Sequence, residues 1–196
     1  MPEWAKNFEK NYSYYLSKFE YNNVADLGIK AIEESTLLKI LYSKLMVQLQ
    51  KFDDQLIFDK MWLVETSFSD SCENALPYIP HIDKKRYIKA MIYIDDVGID
   101  DGPLTVASSN PEDYEPLRDS LKKNYKAEKA NWVSNLSSDH FSKCLGSAGT
   151  TIFFDTNTPH FAGNVKKGHT RRVIRFDFYR KSWHKPPMFK KLKFWE

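Results

Sequence analysis

The chain has 196 residues, of which 42% are hydrophobic and 15% aromatic, so it has enough apolar side chain to bury a core and is not a mainly disordered protein. Its 29 Lys and Arg residues against 26 Asp and Glu leave a net charge of +3, which gives no reason to expect a nucleic-acid partner. Two cysteines cannot build a disulfide framework, and no stretch approaches the roughly 18 apolar residues of a membrane span. The first ten residues are charged and lack the apolar core of a signal peptide. We therefore expect a soluble, cytoplasmic protein that forms a single domain over residues 1–196.

The first fifty residues are typical of helices that support a sheet. Aromatic and apolar residues recur at spacings of three and four over residues 1–22, which predicts an amphipathic helix. Ser35 is a suitable N-cap for a second helix, in which leucines follow one stripe from Leu38 to Leu49. We expect residues 1–52 to form helices that pack on a sheet and carry no chemistry of their own.

The residue pattern changes after position 52 to one that predicts short strands. Five segments are rich in β-branched and aromatic residues and are separated by turn formers: Gln55–Phe68, Arg86–Asp95, Pro103–Ala107, Thr150–Asp155 and Arg171–Tyr179. Several short strands without helices between them favour an antiparallel sandwich or barrel over residues 53–180, rather than a parallel sheet. Between two of the strands, Pro111–Lys143 is polar and charged, and we expect a partly helical excursion of the kind that often carries function.

The chain ends in a basic and aromatic tail, residues 181–196. From position 180 onward there are six Lys or Arg residues and one acidic residue. A solvated terminal segment is the expected reason for this charge. We expect the aromatic residues of the tail to pack on the body of the protein or on a second subunit, which would make a homodimer.

His81 and Asp83 are two residues apart, so an extended backbone places both side chains on the same face. An imidazole beside a carboxylate is half of the facial triad that binds iron(II) through two histidines and one carboxylate. The missing histidine must come from elsewhere, and His160, just after a predicted strand, is the best placed. On spacing alone, a surface histidine beside a turn aspartate is the better explanation of the pair. The remaining histidines lie in polar segments and are expected to be solvated: His140, His169 and His184.

The order of motifs along the chain is more specific than the pair alone. His81-x-Asp83 is followed by an acidic run that leads into Gly102-Pro103-Leu104, and His160 is followed eleven residues later by Arg171. Over about residues 77–180 this order resembles the phytanoyl-CoA dioxygenase-like family of iron(II)- and 2-oxoglutarate-dependent oxygenases. The resemblance implies a mainly β fold with flanking helices, the double-stranded β-helix or jelly roll.

The same resemblance implies roles for individual residues. His81, Asp83 and His160 would bind iron(II), and Arg171 would bind the distal carboxylate of 2-oxoglutarate, for which a planar guanidinium is well suited. Alternation along the last predicted strand conflicts with this, because it places Arg172 on the more apolar face. We prefer Arg171, since a buried anion can be bound on the less apolar face, and Arg172 is the alternative.

The resemblance further implies the reaction. Dioxygen and 2-oxoglutarate would be consumed, with succinate and carbon dioxide as products, while a small organic molecule is hydroxylated. Asp83 argues against halogenation, because related halogenases have Ala or Gly at that position. Lys89 and Met91 share a face of the following strand, where they would contact 2-oxoglutarate, although a surface lysine is an equal alternative. Two other functions stay open: a protein or peptide hydroxylase that docks a polypeptide on Pro111–Lys143 and the tail, and a non-catalytic jelly-roll binding module.

Overall fold

The computed structural model describes residues 24–26, 28–68, 76–123 and 129–183. The helix predicted within residues 1–22, His184 and most of the basic tail lie outside the described residues. The elements in chain order are β1 (Val24–Asp26), α1 (Gly28–Glu34), α2 (Thr36–Phe52), β2 (Leu56–Ser67), β3 (Ile88–Tyr93), β4 (Leu104–Ala107), α3 (Glu115–Lys123), β5 (Phe141–Cys144), β6 (Thr151–Asp155), β7 (His160–Ala162) and β8 (Thr170–Arg180).

The second predicted helix is confirmed as α2. The Ser35 side chain accepts a hydrogen bond from the backbone N–H of Leu38 at 3.4 Å, which satisfies one of the free donors of the first turn. The leucine stripe of α2 is buried at Leu38, Leu45 and Leu49. This stripe packs on the sheet, as expected for an amphipathic helix.

Two antiparallel sheets form the body of the fold. The larger has the strand order β1-β2-β8-β3-β6, and the smaller has the order β5-β4-β7. Apolar residues of β3, β6 and β8 pack against β4 between the sheets, and include Met91, Phe154, Val173 and Leu104. This arrangement confirms the expected mainly antiparallel β fold with flanking helices.

Strand β8 is buried on both faces, which explains the conflict over its two arginines. Ile174, Phe176 and Phe178 face the helices and are fully buried with α2. Arg171 lies on the opposite face, which turns toward the second sheet, and only 5% of it is exposed. Alternation correctly identified the face with Arg172 as the more apolar one, but that face is covered by the helices and does not turn toward the second sheet.

Phe176 lies at the centre of the helix-facing core and is fully buried, with its ring centroid 6.4 Å from those of both Tyr42 and Phe58. We expect Phe176→Ala to lower the free energy of unfolding by about 3–5 kcal/mol, because the cavity cannot collapse between a central strand and a helix. Urea unfolding followed by circular dichroism measures this. Phe52→Ala is the control, since Phe52 is 82% exposed and its removal should cost no more than about 0.5 kcal/mol. Equal losses for the two variants would contradict this view of the core.

The excursion between β4 and the later strands is partly helical, as predicted. It contains a 3₁₀ turn at Pro111–Tyr114 and then α3. Its predicted end was too late, because β5 already begins at Phe141 and pairs with β4. Strand β7 has only three residues and gives too short a pattern to be seen in the sequence. Among the described helices, none is long and apolar enough to cross a membrane.

Candidate metal centre

The two histidine-bearing segments lie side by side in the smaller sheet. His81 and His160 form an antiparallel bridge, with N–H to carbonyl distances of 3.1 Å and 2.9 Å. On its other side His81 is bridged to Trp132, from the excursion. The segment around His81 thus extends the smaller sheet beyond β7 and is held by backbone hydrogen bonds on both edges.

His81, Asp83 and His160 converge on one point between the sheets. Each offers a ligand atom, and these atoms lie within 4.8 Å of one another. Oδ1 of Asp83 is 3.7 Å from Nε2 of His81 and 3.6 Å from Nε2 of His160. Both histidines are buried, at 6% and 5% exposure. Two imidazoles and one carboxylate are the donor types of a non-haem iron(II) facial triad, so this group could hold such a metal.

Backbone carbonyls fix the tautomer of each imidazole. Nδ1 of His81 lies 2.7 Å from the carbonyl oxygen of Ile79, and Nδ1 of His160 lies 2.9 Å from that of Thr158. A carbonyl oxygen only accepts, so each Nδ1 carries the proton and donates it. Each Nε2 therefore keeps a free lone pair directed at Asp83, which is the arrangement that a metal-binding imidazole needs.

Burial and the neighbouring Lys89 set the protonation of His81 and Asp83. Burial lowers the pKa of His81 to about 4, with the neighbouring His160 adding to the effect, so that His81 is neutral near pH 7. Burial alone would raise the pKa of Asp83. The charge of Lys89 and its hydrogen bond to the carboxylate outweigh burial and hold the pKa of Asp83 well below its usual range. A neutral imidazole and an ionised carboxylate are the forms that bind a metal.

Lys89 is buried in the same group, with 7% exposure, and its Nζ lies 2.5 Å from Oδ2 of Asp83. The alternative of a surface lysine is therefore wrong. Met91, on the same face of β3, is also buried and belongs to the apolar cluster between the sheets.

Arg118 of α3 connects the segment that carries Asp83 to the segment that precedes His160. It is buried, and its guanidinium donates to the backbone carbonyl of Asp83 at 2.9 Å and to Oδ1 of Asn157 at 2.5 Å. Asn131 adds a further bond, from its side-chain amide to the carbonyl of Ile82 at 2.8 Å. The excursion that carries Arg118 and Asn131 thus builds the support of the site. The sequence gives no signal for either role, because their partners are distant along the chain.

We expect Arg118→Met to weaken metal binding about tenfold, because two buried acceptors lose their donor and the Asp83 and Asn157 segments are no longer tied together. Titration of the metal-free protein with Mn²⁺, followed by electron paramagnetic resonance, measures the affinity. Lys123→Met is the control, because Lys123 ends the same helix and is exposed. Equal Mn²⁺ affinities for the two variants would show that Arg118 has no influence on the site.

The two candidate arginines of β8 have different surroundings. Arg171 is buried between the sheets, donates to the carbonyl of Gly102 and to Oγ1 of Thr66, and has a buried Nε without a partner. Arg172 makes a two-point ion pair with Asp95, at 2.7 Å and 2.5 Å. No carboxylate pairs with Arg171 within the described part of the chain, whereas the guanidinium of Arg172 is already engaged. Arg171 is therefore the one whose surroundings fit an incoming anion.

The other described histidines lie away from this group. His140 is exposed, with Nδ1 2.8 Å from Oγ of Ser137, and His169 is exposed beside Asp101. Their expected solvation is confirmed. A second network was missed in the sequence: the buried Arg86 pairs with Asp155 at 2.7 Å, and also with Glu112 and Glu115. It ties the strand that precedes the His160 segment to the start of the excursion.

Comparisons with known proteins agree with this geometry. The phytanoyl-CoA dioxygenase (PhyH) family matches residues 2–173. No curated protein matches the chain.

Several solved structures share the fold. HygX from Streptomyces hygroscopicus, solved with nickel and 2-oxoglutarate, has a TM-score of 0.63 at 10% identity, covering 92% of this chain and 79% of its own. The epimerase SnoN, in complex with Fe³⁺, alpha ketoglutarate and nogalamycin RO, has a TM-score of 0.62 at 13% identity, covering 90% and 74%. EvdO2 from Micromonospora carbonacea var. aurantiaca has a TM-score of 0.59 at 12% identity, covering 90% and 82%.

The family match extends over most of the chain, and the jelly-roll fold of these structures is the one described above. The chain therefore belongs to the phytanoyl-CoA dioxygenase family of iron(II)- and 2-oxoglutarate-dependent oxygenases.

Proposed function

We propose that the protein hydroxylates a small organic molecule with iron(II), 2-oxoglutarate and dioxygen, and that His81, Asp83 and His160 are the iron ligands. The observation that carries this proposal is the convergence of the three ligand atoms within 4.8 Å, with both imidazoles presenting Nε2. Iron bound there supplies dioxygen activation coupled to the decarboxylation of 2-oxoglutarate. One oxygen atom of dioxygen enters a C–H bond of the substrate to give C–OH, and the other enters succinate as 2-oxoglutarate loses carbon dioxide.

Arg171 is the proposed anchor for the distal carboxylate of 2-oxoglutarate. Its guanidinium is buried, has an unpaired Nε and lies on the same face of β8 as Val173. A dianionic co-substrate needs a cation of this kind, because an unpaired carboxylate would lose its hydration on entering. HygX and SnoN were solved with 2-oxoglutarate, named alpha ketoglutarate for SnoN, which supports a co-substrate site in this fold.

An apolar cluster between the sheets lies beside the proposed metal ligands and would form a wall of the site. Met91, Leu104, Phe154 and Val173 pack together there, and the Phe154 ring lies 5.1 Å from that of His160. Such a wall would keep water away from the reacting atoms. The chain itself thus holds the ligands, orients the co-substrate and excludes solvent.

The test is to load the metal-free protein with iron(II) and 2-oxoglutarate. Without oxygen, we expect the weak visible charge-transfer band of an iron(II)–2-oxoglutarate chelate. With oxygen, we expect succinate, in slow uncoupled turnover even when no substrate is added. Failure to bind iron, together with the absence of succinate, would instead support a non-catalytic binding module.

The mass of the product separates the reaction types once a substrate is found. Hydroxylation adds one oxygen atom, whereas an epimerase such as SnoN returns an isomer of unchanged mass. For the alternative of a protein hydroxylase, lysate treated with the loaded enzyme would contain peptides that have gained one oxygen. We favour a small molecule, because the described part of the excursion is occupied in holding the ligand segments.

A further inference from the structure

The two oxygens of Asp83 have different partners. Oδ1 lies 3.7 Å and 3.6 Å from the Nε2 atoms of His81 and His160, whereas Oδ2 lies 2.5 Å from Nζ of Lys89. The carboxylate is thus fixed by a cation on one oxygen and presents the other to the imidazoles. A carboxylate without such a partner is free to bind a metal through one oxygen or through both.

The position of Lys89 on β3 makes this contact specific. The residue faces inward, and its neighbour across the β3–β8 pairing is Asp177. Asp177, however, is already bound by Arg175 at 2.9 Å and by Nε1 of Trp62 at 3.1 Å. Lys89 forms its ion pair with Asp83, so the buried ammonium is directed at the candidate iron ligand.

Burying an ammonium group is costly unless it is paired, so an uncharged side chain would serve packing alone better at this position. The pair also differs in kind from the hydrogen bonds that hold the imidazoles. Those bonds fix ring orientation through Nδ1, whereas Lys89 acts on the second oxygen of a carboxylate. Lys89 is therefore placed to decide how many oxygens Asp83 offers to a metal.

We propose that Lys89 is a positioning residue that holds Asp83 as a one-oxygen ligand and so keeps a coordination position open for 2-oxoglutarate or dioxygen. The proposal rests on the ligand assignment of the proposed function. A facial triad leaves three positions of an octahedron free, and a second oxygen from Asp83 would take one of them. The role differs from direct contact with 2-oxoglutarate, because Lys89 would act through Asp83.

Cobalt(II) in the full chain provides the test, because its visible absorption reports the number and arrangement of ligands without turnover. We expect Lys89→Met and Lys89→Gln to change the cobalt spectrum and to weaken 2-oxoglutarate binding to the cobalt protein about tenfold. Lys89→Arg, which keeps a donor cation at this position, should restore most of the wild-type spectrum. Lys143→Met is the matched control, because Lys143 is an exposed strand lysine on β5.

The outcomes separate this proposal from the proposed function. If wild-type protein binds no cobalt, the ligand assignment itself fails. If cobalt binds but both Lys89 variants keep the wild-type spectrum, the positioning role is overturned. In that case, weaker 2-oxoglutarate binding would assign Lys89 to the co-substrate. Circular dichroism tests whether each variant is folded. If one of the two neutral variants, Lys89→Met or Lys89→Gln, does not fold, the other still provides the test.

Discussion

Replacing His160 by alanine is expected to remove both iron binding and turnover. In the proposed site the imidazole supplies one of three ligand atoms, and it has no substitute among the described residues, since His81 and Asp83 are the other members of the group. Loss of an outer contact to a metal ligand commonly costs 10–100-fold in affinity, so loss of the ligand itself should exceed about 100-fold. Iron(II) binding is measured by anaerobic titration in the presence of 2-oxoglutarate, followed by the visible charge-transfer band. Turnover is measured as succinate production in air.

His140→Ala is the control for this experiment. The His140 side chain is exposed and bonds Oγ of Ser137 in the local turn, and its backbone bonds survive the substitution, so the variant should match the wild type in both measurements. An undiminished charge-transfer band in His160→Ala would show that the ligand set is wrong. Parallel melting curves of the metal-free proteins establish that any loss comes from the site and not from unfolding.

Exchanging Arg171 for leucine is expected to weaken 2-oxoglutarate binding about 100-fold while iron(II) binding stays intact. A two-point hydrogen bond between a guanidinium and a carboxylate contributes about 3 kcal/mol in a buried setting, which corresponds to about two powers of ten. The Michaelis constant for 2-oxoglutarate and the iron affinity, measured on the same preparation, separate the two effects.

Arg172→Leu provides the direct comparison, because the sequence leaves both arginines open as the anchor. Arg172 is bound to Asp95, so its loss should lower stability and leave the Michaelis constant for 2-oxoglutarate within about twofold of wild type. The reverse result, with a large change for Arg172→Leu and none for Arg171→Leu, would assign the anchor to Arg172.

Much of the fold could be predicted because its signals are local. Helix α2 has a capping serine and a leucine stripe, and the longer strands have the β-branched and aromatic residues that suit a pleated surface. The strands β5 and β7 were missed, because β5 has no β-branched residue and β7 has only three residues. Their strand structure comes from pairing with β4, which is a long-range interaction.

The candidate site shows the same division. The members of the metal group were predicted from the spacing of His81 and Asp83 and from the family resemblance that pointed to His160. The contacts of Lys89, Arg118 and Asn131 were not, because each depends on which distant backbone segment lies opposite. Alternation in β8 could not separate a helix-facing surface from one between two sheets, because both are buried.

Because His81 and His160 are bridged strand partners, metal binding at this site should also stabilise the fold. An ion bound by the proposed ligands would cross-link two segments of the smaller sheet that are far apart in the sequence. By mass action, a thousandfold excess of free metal over the dissociation constant adds about 4 kcal/mol to the native state. The melting temperature should then rise with the concentration of available iron. In an iron-poor cell the metal-free protein would unfold more often and be degraded faster than the metal-bound form.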